Sequence, residues 1–378
     1  MFEMGQAEID AVTKVIKSGN FMRYRGGEGG FTENFEKELG EQFGVRHVLT
    51  VNSGTSALIC GLAAMGIGPG DEVIVPAYTW VASAMAVLAV GAVPVMADID
   101  ESLTLNPQSI ERHITPYTKA IIPVHMVNLP CDMDAIRAVA EKHHLLICED
   151  ACQACGVSYK GKRVGTLGQV GALSFNMFKN ITCGEGGAVL TNDDRYYERA
   201  LMYHDAGCFT RNHAAAMKEP FFPGVNYRVS EISGAIIYEQ RKRLDPGLDG
   251  LKKNRRTMAE VLSKAKHFRI APHHDENSAV TLALIFPDAA AAQTFCAKHG
   301  CHPLIESGRH VYTNWEPLLE QRAFHPLMNP FNWTHRKIDY TPEMCQDTLR
   351  ILERAIVVAM PWNESTEKAR ARDEELLD

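Results

Sequence analysis

The chain has no apolar run of bilayer length, no low-complexity tract and no internal repeat, which excludes membrane spans, flexible scaffolds and solenoids. It also lacks a basic excess. Lys and Arg number 39 against 46 Asp and Glu, so a net charge of −7 offers no electrostatic footprint for nucleic acid. The first residues, Met1 to Asp10, have neither the basic nor the apolar segment of a signal peptide, and the ten cysteines are scattered rather than framed for disulfides. The expected compartment is therefore the cytoplasm. Cys148, Cys152 and Cys155 include one Cys-X-X-Cys, but a structural zinc site needs four ligands and no second such pair occurs, so buried thiols are expected and no metal is predicted. What the chain does have is 378 residues, 46% of them hydrophobic, enough for a sizeable core and two lobes.

Lys179 stands in the run Ser174-Phe-Asn-Met-Phe-Lys-Asn-Ile-Thr-Cys-Gly-Glu-Gly-Gly187, which reads as strand, loop and glycine-rich turn. An amine held at a strand end, partly desolvated and beside a serine suited to phosphate, can form a Schiff base with the aldehyde of pyridoxal phosphate. Upstream, Leu146-Ile-Cys-Glu-Asp-Ala-Cys-Gln153 is an apolar strand ending in Asp150, at the carboxyl edge where open α/β sheets bind ligands. A buried carboxylate there needs a cation, and a protonated pyridine nitrogen is one. A third run, Val51-Asn-Ser-Gly-Thr-Ser-Ala-Leu58, follows a strand and opens a helix, making an anion site from backbone amides and hydroxyls.

These runs, with Gly68-Pro-Gly-Asp-Glu-Val-Ile-Val-Pro76, Ala77-Tyr-Thr-Trp80, Pro123-Val-His125, Asp132-Met-Asp134 and Asn226-Tyr-Arg228 with Glu231, resemble the DegT/DnrJ/EryC1/StrS aminotransferases over nearly the whole chain. The resemblance implies an α/β, fold-type I pyridoxal-phosphate enzyme: a large domain with a mostly parallel mixed sheet and a small C-terminal α+β domain. It implies that Lys179 binds pyridoxal 5'-phosphate covalently, that Asp150 pairs with the pyridine nitrogen and that Gln153 reaches the ring hydroxyl. Gly54, Thr55 and Ser174 would hold the phosphate, with Asn226 given by the second subunit of a homodimer. Trp80 would stack on the ring, the alternative being a core aromatic. Arg228 either meets a donor carboxylate or pairs with Glu231. Relatives with histidine in place of the lysine dehydrate sugars, so Lys179 implies transamination from glutamate or glutamine to a keto-sugar.

Strands are predicted at 47–51, 72–76, 93–97, 120–124, 145–149, 172–175 and 188–191, alternating with helices as a parallel sheet requires. After a helix over 230–244, Asp245-Pro-Gly reads as a turn. A long polar helix, a strand over 279–286, a helix over 348–358 and a charged tail prone to fraying follow. The lobes are expected to be 1–248 and 249–378. The tract after His125 and the loop Phe21-Met-Arg-Tyr-Arg25 depart from the nucleotide-sugar branches, and Glu306 to Trp315 is similar to the branch making 8-amino-3,8-dideoxy-octulosonate for lipopolysaccharide. Nucleotide-sugar and aminohydroxybenzoate-synthase branches are the alternatives, and a non-catalytic cofactor-binding regulator is the alternative of another class. Arg23, Arg25, Arg309 and His310 are candidates for a substrate carboxylate, each also readable as an ordinary ion pair.

Overall fold

The structure, a computed structural model, describes residues 3–24, 29–358, 360, 362 and 364–377. In chain order the strands are β1 (His47–Val51), β2 (Glu72–Pro76), β3 (Val93–Ala97), β4 (Thr118–Ile121), β5 (Leu146–Asp150), β6 (Ser158–Tyr159), β7 (Lys162–Arg163), β8 (Val170–Ser174), β9 (Gly187–Thr191), β10 (Arg269–Ile270), β11 (Leu282–Ile285) and β12 (Ala355–Val358). They fall into two compact units. The first comprises Met1–Gly68, Leu146–Gly156 and Lys162–Asp245, and the second Pro69–Leu145, Val157–Gly161 and Pro246–Asp378.

In the first unit the strand order is β1-β9-β8-β5. β1 and β9 are antiparallel, as are β9 and β8, whereas β8 and β5 run parallel. The helix Gly54–Ala64 is apolar nearly all round and accordingly buries Ala57, Leu58, Ile59, Cys60 and Leu62. The helix Phe31–Phe43 instead has one apolar stripe, Phe35, Leu39 and Phe43, and Phe35 meets Phe175 edge-on at 5.5 Å.

The second unit holds β4-β2-β3, all parallel, and a separate antiparallel sheet β10-β11-β12. Every residue of β2 and β3 is buried, which is why both read as continuous Val-rich runs rather than alternating ones. Buried Glu72 is stabilised by Arg336, whose Nε and guanidinium NH2 lie 2.6 and 3.1 Å from its two oxygens.

The α/β class is thus as expected, with β5–β8, β4–β2 and β2–β3 parallel in a mixed sheet, but four elements differ. Asp245-Pro-Gly is no turn: it lies in the first turn of the helix Leu244–Leu262, where proline gives up an amide that has no helical acceptor. The predicted helix over 348–358 is a shorter helix, Gln346–Leu352, followed by β12, because Ile356-Val-Val is β-branched and pairs antiparallel with β11. The fourth parallel strand sits at Thr118–Ile121 rather than 120–124. The charged tail forms the helix Thr366–Glu375, whose cap is Ser365 accepting from the Lys368 amide.

Candidate active site

Ser53, in extended conformation, caps the helix Gly54–Ala64 by accepting the Ser56 amide at 3.0 Å, and the Ser56 hydroxyl donates to Asn52 Oδ1 at 2.6 Å. The amides of Gly54 and Thr55, the first two of the helix, have no intrahelical acceptor and project from its positive end. A Cβ on Gly54 would lie 2.7 Å from Ser174 Cβ and 2.9 Å from Cys152 Sγ. Ser174 ends β8, is buried, and pairs with Gly187 across the antiparallel ladder. A Cβ on Gly187 would stand 2.4 Å from the Ser53 carbonyl oxygen. Two glycines therefore let a helix start, a strand end and the Cys152 turn close to form one cradle.

β5 brings a pair of acids to its end, and its alternation separates them. Glu149 turns one way and accepts the amides of Gly165 at 2.7 Å, Gly168 at 2.5 Å and Leu167. Asp150 turns the other way, 4% exposed, with its Oδ1 accepting the Cys152 amide at 3.1 Å. Lys179 lies in the β8–β9 connection, which is tightly pinned: Phe175 N–H donates to Gly186 O, Met177 N–H to Gly184 O and Lys179 N–H to Asn176 O. Asn180 further ties this loop to Cys155 O at 2.9 Å. Burial and the Asp150 carboxylate push the Cys152 thiol well up, while Lys179 pulls it down, so both charges act on the one sulfur. Gln153 is half-buried in the same turn. A buried acid, a half-buried lysine and an amide-lined cradle fit a cofactor with a basic ring nitrogen, an aldehyde and a phosphate.

In the second unit, residues 309–312 run beside 77–79. Thr79 N–H donates to His310 O at 2.9 Å and Tyr312 N–H to Ala77 O at 3.1 Å. This pairing sets the Arg309 guanidinium 5.5 Å from the Trp80 ring centroid and the His310 ring 5.2 Å from it. Trp80 is 39% exposed, so it is no core aromatic.

The other predicted substrate residues fare differently. Arg23 is buried against Glu36 at 2.6 Å and also donates to Thr50 O at 3.0 Å, the ion-pair alternative expected for it. Arg25 lies outside the described residues. Arg228 pairs with Asp205 rather than Glu231, and this buried carboxylate is also gripped by Arg211 at 2.7 and 3.0 Å. Asn226 is exposed on a segment bridged to Asp205, with Tyr227 N–H donating to His204 O at 2.9 Å. Sequence reasoning missed Asp205 and Glu149. The adjacent Glu-Asp pair was a signal for Glu149, since alternation along a strand sends the two to opposite faces.

A sequence profile described as the DegT/DnrJ/EryC1/StrS aminotransferase family matches residues 3–351. The GDP-perosamine synthase of Caulobacter vibrioides (strain ATCC 19089 / CIP 103742 / CB 15) is 44% identical over 223 residues, 58% of this chain, and the chain spans 58% of that relative's length. Among solved structures, 3-amino-5-hydroxybenzoic acid synthase matches with a TM-score of 0.80 at 25% identity, covering 100% of this chain and 97% of its own. DesV of S. venezuelae, in complex with a ketimine intermediate, matches with a TM-score of 0.76 at 29% identity, covering 98% and 92%. These likenesses bear out the expected fold-type I architecture.

Proposed function

Because this chain belongs to the DegT/DnrJ/EryC1/StrS aminotransferase family, we propose that it is a pyridoxal-phosphate-dependent aminotransferase moving an amino group from glutamate or glutamine to a keto-sugar. The observation that carries this reading is the half-buried Lys179 on its pinned loop, acting with Asp150 on one sulfur beside the Gly54–Ser174 cradle. Bound there, pyridoxal phosphate supplies an electron sink for the carbon that loses its proton. Asp150 holds a proton on the ring nitrogen. The amides of Gly54 and Thr55 and the Ser174 hydroxyl bind the phosphate, and Gln153 orients the ring hydroxyl. Lys179 would hold the group at its aldehyde, and its Nζ would accept the donor's α-proton as general base. A ring-stacking role for Trp80 and a phosphate contact from the partner's Asn226 rest on family resemblance. So does a homodimer with shared sites, whereas a cytoplasmic location rests on the scattered cysteines and lobes of 1–248 and 249–378 on the change of pattern after the helix over 230–244. Among the described residues no helix is long and apolar enough to cross a membrane.

For the acceptor we propose two readings. The 8-oxo-3,8-dideoxy-octulosonate reading, with a role in lipopolysaccharide, is supported by the late tract that carries Arg309 and His310 on Trp80. The altered tract after His125 also supports it, whereas in the entry loop Arg23 is engaged by Glu36. A nucleotide-linked keto-sugar is supported by the 44% identity to a GDP-perosamine synthase. Turnover of both acceptor classes, measured side by side with glutamate as donor, decides between them. Replacing Lys179 by Ala should abolish covalent cofactor attachment and lower turnover by about 10²–10⁴-fold or more, with the fold retained by circular dichroism. Multiple turnover by Lys179→Ala without added amine would refute the aminotransferase reading.

A further inference from the structure

The helix Ala289–His299 ends at Gly300, whose left-handed conformation (φ 66°) turns the chain back so that the Gly300 and Cys301 amides both reach Cys296 O, the latter at 3.2 Å. The Cys301-to-Cys296 bond is that of a Schellman-type ending, in which the side chains four positions before the left-handed glycine and one after it come into contact. Here both of those side chains are cysteines, and their sulfurs are 3.3 Å apart. In most helices this contact is filled by aliphatic side chains, so a second thiol adds chemistry that the turn itself does not require.

We propose that Cys296 and Cys301 form a reversible dithiol–disulfide couple, a modification site oxidised by low-molecular-weight disulfides. The two thiols differ in access: Cys296 is 4% exposed within the core cluster of Phe268, Phe286 and Phe295, whereas Cys301 is half-buried at its rim. Burial, reinforced by Cys301, pushes Cys296 up to about 12, which leaves Cys301 as the thiol that meets the oxidant first. The Cys301 thiolate attacks one sulfur of RSSR and expels RS⁻, leaving a mixed disulfide. Cys296 loses its proton and attacks the Cys301 sulfur, expelling the second RS⁻. Two protein thiols are oxidised and one RSSR is reduced to two RSH. Closure to a bond of about 2.05 Å needs about 1.3 Å of sulfur movement.

The test uses the full-length protein and excess glutathione disulfide at mildly alkaline pH, read by intact mass and tryptic mapping. Lys298 lies between the two cysteines, so trypsin separates them and the bond appears as two joined peptides. The expected result is a loss of two hydrogens, a Cys296–Cys301 link and full reversal by dithiothreitol. Cys296→Ser should stop at a glutathione adduct on Cys301, and Cys301→Ser should form neither link nor adduct at this end of the helix. A stable glutathione adduct on Cys301 of the unsubstituted protein, or no change at either residue, overturns the proposal. The couple is independent of the cofactor reading, so its failure leaves that reading untouched.

Discussion

At the scale of single residues, what distinguishes this site is how little space separates its parts. Gly54→Ala places a methyl 2.7 Å from Ser174 Cβ, so the helix start must retreat from the strand end and the cradle opens. We expect cofactor affinity to fall about 10–100-fold, the equivalent of one charge-assisted hydrogen bond, as measured by equilibrium titration with pyridoxal phosphate. Unchanged affinity would mean the phosphate binds elsewhere. His204 supports a pH prediction. Its Nδ1 faces Leu201 O at 2.8 Å and so carries the hydrogen, which leaves Nε2 to accept from the Tyr24 hydroxyl at 3.1 Å. Burial, with Arg23 beside it, pulls its pKa from 6.5 down to about 3. The unfolded chain therefore binds the extra proton first. The stability from a neutral His204 is complete above about pH 6.5 and is lost as pH falls toward 3, at up to about 1.4 kcal/mol per pH unit. Urea titrations between those limits should show a shallower acid slope for His204→Gln, and identical slopes would count against it.

At the scale of elements, β12 offers the sharpest check. Ile356 is buried in the cluster around Phe268, Phe286 and Phe295 and pairs with Leu284 across the ladder. Ile356→Ala should cost about 2–4 kcal/mol by denaturant unfolding, the range for a large-to-small change in a packed core. Most strands were legible because a parallel strand buried on both faces writes itself as an unbroken Val and Ile run, as in Glu72-Val-Ile-Val-Pro76. β12 was missed because its short apolar run follows a helix directly and periodicity alone cannot separate the two. Pro246 was misread because a proline two residues into a helix and a proline in a turn share the same local chemistry. Among site residues, Lys179, Asp150 and Ser174 were legible since their types and order carry the chemistry. The two readings of Arg23 could not be separated in the sequence because its partner, Glu36, lies on another element.

At the scale of the whole molecule, the exposed Asn226 beside the Asp205 ion cluster supports a site completed by a second copy of the chain. Mixing Lys179→Ala with Asn226→Ala, after exchange of subunits, should then restore activity to about a quarter of the unsubstituted level. Random pairing makes half the dimers mixed, and each mixed dimer has one intact site. No recovery above either variant alone would place both residues in one subunit's site. The pairing of β1 with β9 carries a consequence for biogenesis. His47–Val51 pairs along its length with Gly187–Thr191, and Val51 also bridges to Arg228, so its ladder waits while the intervening chain is made, roughly ten to thirty seconds at ordinary translation rates. The cradle at Gly54 depends on the same later segment through Gly187, so it cannot close on the ribosome until about 130 further residues have been made, an interval in which the edge of an apolar strand is left without its ladder.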